Sequence, residues 1–451
     1  MRSSSTWTST SGATRRVSPP LAHQRRTLVR MRLAHLSLAS VRSFPRLDLD
    51  FGPGVHVIFG ENGTGKSNLL EAISLLSTAR SPRGGRDGEL IGWTALAEDP
   101  LPAAQLGAVV ELADGSRHNL EITVMARSTM ARMSRPALDA GGDATATAAA
   151  TAPPAPTATR RFRVNGIARR ASDLIGRLRT VLFSADDLAL IDGPPSGRRR
   201  FLDVTISQLE PNYVRALQRY GRVLAQRTSL LRRLQERRGD SGELDFWDEE
   251  LSAAAAVIVH SRATLLARLS ELATVHHQAL SPSGGTIDLR YRPAAPEELA
   301  AALCEPGLDG ALLAALRAGR AHDIRRGVTH IGPHRDDVDF LLEGRAAAAY
   351  ASRGEQRTVA LALRLAEVQV SRERTGEAPV LLLDDILSEL DARRRARVLE
   401  AASGVDQVFI TTPDEDRPGP TELPGATRYH LAEGVLAADC DGSVAPSDQP
   451  E

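Results

Sequence analysis

The chain has 451 residues, enough for two or three lobes, and its 42% hydrophobic and 25% charged content is the balance of a soluble globular protein. A formal net charge of zero excludes a global pull on nucleic acid or acidic membranes, so such binding must come from local patches. Two distant cysteines, Cys304 and Cys440, exclude a disulfide framework, and no uninterrupted run of about 18 apolar residues suggests a membrane partner; a cytoplasmic setting is expected, with Cys304 in the core.

Residues 1–30 are rich in Ser, Thr and Arg and carry no acidic residue. Transit peptides share that composition, but a disordered extension, or a start at Met31, fits better because the first ordered pattern follows directly. Residues 33–40 and 47–51 alternate apolar and polar, predicting strands. Gly52-Pro53-Gly54 predicts a turn into the short apolar run 55–59, which reads as a buried strand.

That strand feeds Gly60-Glu61-Asn62-Gly63-Thr64-Gly65-Lys66-Ser67, and a helical pattern follows at 68–76. Strand, Gly-x-x-x-x-Gly-Lys-Ser and helix together predict a phosphate-binding loop. Its glycines let backbone N–H groups surround phosphate oxygens, and the helix start adds partial positive charge. Lys66 is the only lysine among 56 basic residues; the other 55 are arginine. A compact ammonium on a flexible stem reaches β- and γ-phosphates where a planar fork fits poorly. Ser67 is the expected Mg²⁺ ligand and ATP the expected ligand of the loop.

Strands are predicted at 106–113 and 118–126. Residues 131–160 are low in complexity and read as a flexible insertion. Strand character returns at 162–164 and 180–183. From about 197 the period becomes helical. Leu217, Leu224 and Leu231 recur every seven residues, with Tyr220 and Leu234 beside them; Leu251, Ile258, Leu265 and Leu272 repeat the spacing after a polar break at 238–242. This predicts an antiparallel helical hairpin, with the seam inside the chain favoured over a dimerisation zipper. Residues 282–326 read as helical with Pro and Gly breaks.

Ser352-Arg353-Gly354-Glu355 opens a helix, where hydroxyl, bare amides and helix dipole make an anion site. It precedes the apolar strand 380–384, which ends in Asp384 and Asp385. Asp384 is the expected Mg²⁺ ligand, and Asp385 the group that orients or deprotonates water. In this order the elements read as an ABC-type signature loop and a Walker B strand, and Ser388 to Asp391 falls where such proteins carry the D-loop. Thr412 stands where a switch histidine often sits. Asp384 lies 318 residues (384 minus 66) after Lys66. A helical lobe must therefore sit between two halves of one ATPase sheet, a spacing too long for a transporter subunit.

The expected organisation is an extension at 1–30, the first half of the ATPase lobe at 31–195, a helical lobe at 196–326, the second half at 327–435 and a disordered tail at 436–451. Arginine clusters at 198–200, 232–233, 237–238, 325–326 and 393–395 suit phosphate contacts, although each alone is more often a solvated helix face. His334 suits a turn or lobe junction better than a catalytic base, because Asp385 already serves the water.

Together these motifs resemble the RecF family of bacterial recombination-repair ATPases, relatives of the SMC and Rad50 proteins. The resembling residues are Leu36-Ser37-Leu38 with Arg42, GENGTGKSNLLEAI, 198–203, Gly332-Pro333-His334-Arg335-Asp336-Asp337, the Ser352 loop and LLLDDILSELD. Ala185-Asp186-Asp187 departs from the family pattern, which leaves a Q-loop-like role for 183–187 open. The resemblance implies an α/β, ABC/SMC/Rad50-like P-loop ATPase head with an inserted helical lobe. It implies ATP and Mg²⁺ as cofactors, with Arg42, Ser352, Gly354 and Glu355 joining residues 60–67 around the nucleotide. It also implies an ATP-dependent homodimer on duplex or gapped DNA, slow ATP hydrolysis, and RecR, RecO and RecA as partners. The alternative is an ABC-type switch acting on another partner without direct DNA binding.

Overall fold

The computed structural model describes residues 31–126, 157–281, 284–295, 299, 303–413 and 422–438. Residues 1–30, and most of the stretches expected to be flexible at 131–160 and 436–451, lie outside these. The described ends of both stretches are strands: 158–160 open β6 and 436–438 close β15.

The N-terminal strands are β1 (Arg32–Val41), β2 (Phe44–Asp50) and β3 (Gly54–Phe59), followed by β4 (Ala103–Glu111), β5 (Arg117–Ala126), β6 (Ala158–Val164) and β7 (Ile167–Arg169). All but β3 form an antiparallel sheet in the order β2-β1-β4-β5-β6-β7. Alternation sets its two faces. Leu120, Ile122 and Val124 point into a core shared with Leu69, Leu70 and Ile73 of α1 (Lys66–Thr78).

The second sheet joins β3 to β8 (Thr180–Ser184), β12 (Val380–Asp384), β13 (Gln407–Thr412), β14 (Thr427–Ala432) and β15 (Val435–Ala438), in the order β15-β14-β3-β13-β12-β8. Strands β14, β3, β13, β12 and β8 run parallel, so their carboxyl ends share one edge. That edge places the loop after β3 one strand away from Asp384, despite their separation in sequence.

Apart from helices of six residues or fewer, the remaining helices are α2 (Pro195–Leu209), α3 (Pro211–Gln235), α4 (Leu244–Leu280), α5 (Leu308–Arg326), α6 (Arg353–Thr375) and α7 (Ala392–Ser403). Helices α3 and α4 form the expected antiparallel hairpin: Arg262 of α4 donates to Tyr213 OH at the start of α3 at 3.0 Å, and Arg227, near the end of α3, donates to Asp248 in the second turn of α4 at 2.7 Å. Leu251, Ile258, Leu265 and Leu272 are all buried. On α3, Leu231, Tyr220 and Leu234 are buried as expected, whereas Leu217 and Leu224 are half-buried and Tyr213 and Arg227 take inward positions that the pattern did not mark. Helix α4 has a window apolar enough to cross a membrane by composition, yet 56% of that window is buried in the protein.

Two expectations are corrected. Residues 282–326 are not all helical: β9 (Ile287–Arg292) pairs antiparallel with β10 (Asp337–Leu342), which also pairs with β11 (Arg345–Ala346). The Thr274 and Ser270 hydroxyls of α4 each donate to Ile287 O at 3.0 Å, seating the strand on the helix. Cys304 is exposed, because it lies in the turn before α5 while Leu308 takes the inward position.

Candidate nucleotide site

Residues 60–67 turn tightly between β3 and α1, with φ of 152° at Gly60 and 107° at Gly65. A Cβ on Gly60 would lie 2.3 Å from Leu431 O, and one on Gly65 2.2 Å from Ser43 Oγ. Both positions therefore require glycine twice over, for backbone angle and for space. Gly65 caps α1 without any side-chain bond, and the first turn holds no acidic residue. The helix start is left open to an anion. Thr64 Oγ1 donates to Glu61 O at 2.9 Å and braces the loop, whose tip at Glu61, Asn62 and Gly63 is exposed.

Lys66 is buried, and its Nζ donates to Gly60 O at 2.6 Å and Glu61 O at 2.8 Å. A flexible stem carries its compact ammonium to both carbonyls beneath the loop, where arginine would bring a wider planar fork.

Asp384 ends β12, and its Oδ1 accepts from Thr411 Oγ1 at 2.9 Å. Asp385 follows at a φ of 53°, and its N–H donates to Thr411 O at 3.2 Å and Thr411 Oγ1 at 3.1 Å. Thr411 thus orients both aspartates from the neighbouring strand, a role that sequence reading missed. Burial lifts the Asp385 pKa above the usual aspartate value, while the Ser388 hydroxyl and Lys66 oppose the rise. Ser67 and Asp384 line one cavity of about 210 Å³, together with Glu71 and Arg364. A hydroxyl and a carboxylate facing one space are hard oxygen donors of the kind Mg²⁺ takes, with phosphate and water supplying the rest. Among the described residues no cluster of three His, Cys, Asp or Glu could hold a metal alone.

Arg42 lies in the β1–β2 turn beside α1. It pairs with the buried Glu71 at 2.9 and 3.2 Å, and Ser81 Oγ donates to the same carboxylate at 2.5 Å. Asn68 Nδ2 donates to neighbouring Ser43 at 3.0 Å, so this turn is fixed against the start of α1.

Ser352, Gly354 and Glu355 stand elsewhere, at the start of α6, and do not line the cavity. Glu355 accepts from Ser352 N at 2.8 Å and Ser352 Oγ at 2.7 Å, a capping box that holds the carboxyl below the usual glutamate range. The signature hydroxyl is thus engaged by its own chain.

The loop at 183–187 gains a definite anchor. Asp187 accepts from Ser184 N at 3.0 Å and from Arg364 at 2.6 and 3.1 Å, tying β8 to α6. Arg364 also pairs with Glu367 at 2.7 Å and lies 5.0 Å over the Phe201 ring. Its place three turns into an ordinary amphipathic pattern gave no sequence signal.

His334 is a junction residue. Its Nδ1 meets Tyr220 OH at 2.6 Å, its Nε2 meets Thr329 O at 3.1 Å, and burial lowers its pKa to about 4. The arginine clusters divide. Arg198 pairs with Asp337 at 2.7 Å, Arg199 donates to Asp336 O at 2.8 Å, and Arg200 donates to Ser81 O. Arg394 pairs with Asp391 at 2.6 Å and Arg395 with Glu422 at 3.6 Å. These two clusters are engaged within the fold.

Residues 32–417 match the RecF/RecN/SMC N terminal domain family. A DNA replication and repair protein RecF from Chloroflexus aurantiacus is 41% identical over 414 residues, covering 90% of this chain and 100% of that protein. The chain belongs to the RecF family. Another RecF, from Streptomyces avermitilis, is 37% identical over 414 residues, covering 90% of this chain and 99% of that protein. Among solved structures, the recombination mediator protein RecF-ATP aligns with a TM-score of 0.76 at 29% identity, covering 93% of this chain and 100% of that one. The corresponding RecF-ATPrS structure gives 0.73 at 28% identity, covering 91% and 98%. The fold is thus the α/β ATPase head of the RecF family with a helical lobe, as the motifs led us to expect.

Proposed function

We propose that this chain is an ATP-dependent DNA-binding protein of recombinational repair, cytoplasmic, whose two copies close over ATP on duplex DNA near single-strand gaps. With RecR and RecO it helps load RecA, and hydrolysis then releases it. The observation that carries this reading is the open start of α1, with Ser67 and Asp384 on one cavity and the Ser352 loop at a separate helix start. One chain supplies a phosphate cradle and a signature, but not in contact. A second copy brings the missing half.

Gly60, Glu61, Asn62, Gly63, Thr64, Gly65 and Lys66 hold the triphosphate, with Arg42 buttressing α1 through Glu71. Ser67 and Asp384 hold Mg²⁺, which supplies charge neutralisation at the β- and γ-phosphates. Asp385 aligns water for in-line attack. The partner's signature loop caps the γ-phosphate through the residues equivalent to Ser352 and Gly354, with the Glu355 backbone N–H at the same helix start. Because the site completes only in the dimer, turnover is slow and rises with protein concentration.

The test is ATP-driven association measured by light scattering. Ser352→Arg is expected to retain ATP binding and to remain monomeric. Dimers formed by that variant with ATP would remove the signature from the site.

A further inference from the structure

Two of the arginine clusters converge in space. Arg232 and Arg233 lie in the last turn of α3, and Arg237 and Arg238 follow in the turn beyond it. Arg325 and Arg326 lie in the last turn of α5, some 90 residues later. Gln235 Nε2 donates to Arg325 O at 2.8 Å, and a Cβ on Gly327 would sit 2.8 Å from Gln235 Oε1. The two helix ends are therefore neighbours, and all six arginines are exposed.

Across 232–243 and 325–327 these six face three carboxylates, Glu236, Asp240 and Glu243. Two helix C-termini together offset about one further unit of charge, so helix-end compensation does not consume the excess. Arg233 pairs with Glu243, and Arg238 with Glu236 at 3.7 Å, both at the exposed surface where such pairs hold weakly. Among the described residues, Arg232, Arg237, Arg325 and Arg326 show no ion pair. By contrast Arg198, Arg199, Arg200, Arg394 and Arg395 are partly buried against partners within the fold, while Arg393 stays exposed.

The geometry points to this end of the helical lobe as a contact for the phosphate backbone of duplex DNA, an inference that rests on the DNA-binding reading above. Helix α3 is 25 residues long and spans about 36 Å, which carries the patch well away from the α2 junction and the nucleotide loop. The patch therefore supplies a salt-dependent affinity that does not itself require ATP. Beside the patch a single ring, Phe246, is exposed next to Trp247, which packs with Leu234 and Leu244; one ring is not the run of aromatics on which successive unpaired bases stack, and this favours a duplex over a single strand. Leu234 is buried, and Phe246 is the one large apolar side chain exposed beside the patch among the described residues.

The test is the duplex affinity of the full chain with Mg-ATP across a salt series, for the unaltered chain and for Arg232→Gln/Arg237→Gln/Arg325→Gln/Arg326→Gln. We expect the slope of log affinity against log salt to fall by about 3 to 4, with affinity down at least about tenfold and ATP affinity unchanged. Unchanged slope and affinity, in a preparation whose unaltered chain binds duplex, would overturn the patch alone. An unaltered chain that binds no duplex at low salt with ATP would overturn both the patch and the DNA reading. Loss of binding to polyglutamate with duplex affinity retained would assign the patch to an acidic protein segment and overturn the proposal.

Discussion

Residues 60–67 and 332–337 are both glycine-led, charged loops, and they differ in what their polar groups do. In the first, the start of α1 has no cap, and Lys66 rests on two carbonyls of its own loop. In the second, His334 is held by Tyr220 and Thr329, Asp336 accepts from Tyr291 and from Ala294 N at 2.7 Å, Asp337 pairs with Arg198, and Pro333 O accepts from Arg262 at 2.8 Å. A saturated loop fixes the junction between lobes. A loop left open at its helix start is prepared for a ligand that the chain does not contain. Motif strength alone does not separate these cases; hydrogen-bond satisfaction does.

The two loops should fail in opposite ways. Lys66→Met removes the cation from the open loop, and we expect nucleotide binding to be lost, at least about a hundredfold by fluorescent-nucleotide titration, with the helical circular dichroism intact. Arg262→Met attacks the closed loop. Arg262 is buried and bonds Asp203, Tyr213 and Pro333, so its loss leaves the half-buried Asp203 carboxylate with the Tyr213 hydroxyl alone and the Pro333 carbonyl short of a partner. Denaturant unfolding should show destabilisation of about 2 to 4 kcal/mol, while the folded fraction keeps its nucleotide affinity.

His334 gives the closed loop a pH signature. Its pKa falls on folding from 6.5 to about 4, so the unfolded chain binds the proton more readily between those values. Its contribution is complete above about pH 6.5 and is lost as pH falls toward 4, a change of up to about 3 kcal/mol. Unfolding curves across that window should lose much of this slope in His334→Asn.

The smallest effect is expected at a third helix start, intermediate between the two. Glu355 occupies the Ser352 amide and hydroxyl that the proposed γ-phosphate contact needs. Glu355→Gln keeps the capping pattern and removes the charge. ATP-driven association should then occur at a few-fold lower protein concentration, and weaker association would show that the carboxylate itself is required.

Much of this was legible in advance because the determining patterns are local. The phosphate loop and the β12 strand with its aspartates each declare themselves within a dozen residues, and the α4 heptads within one helix, from Leu251 to Leu272. The α3 seam was legible only in part, at Tyr220, Leu231 and Leu234, because its centre also includes Arg227, which is fully buried between Asp248 and Asp323 at 2.7 Å each. Hydrophobicity cannot mark a buried guanidinium whose partners lie 21 and 96 residues away. Strand β9 was hidden by brevity, six residues among proline- and glycine-containing turns, and Cys304 by a prior for buried cysteine that a surface turn overrides. Thr411 and Asp187 became visible only when parallel strands placed them beside Asp384 and Arg364.

The central claim is that nucleotide held at the open loop governs attachment to DNA. The most direct measurement is retention of gapped duplex DNA by the purified chain, with and without Mg-ATP, with Lys66→Met alongside. The account predicts retention that rises sharply with Mg-ATP and does not rise in Lys66→Met. Equal retention with and without Mg-ATP, in a chain shown to bind ATP, would contradict it and point to a switch that acts on a protein partner.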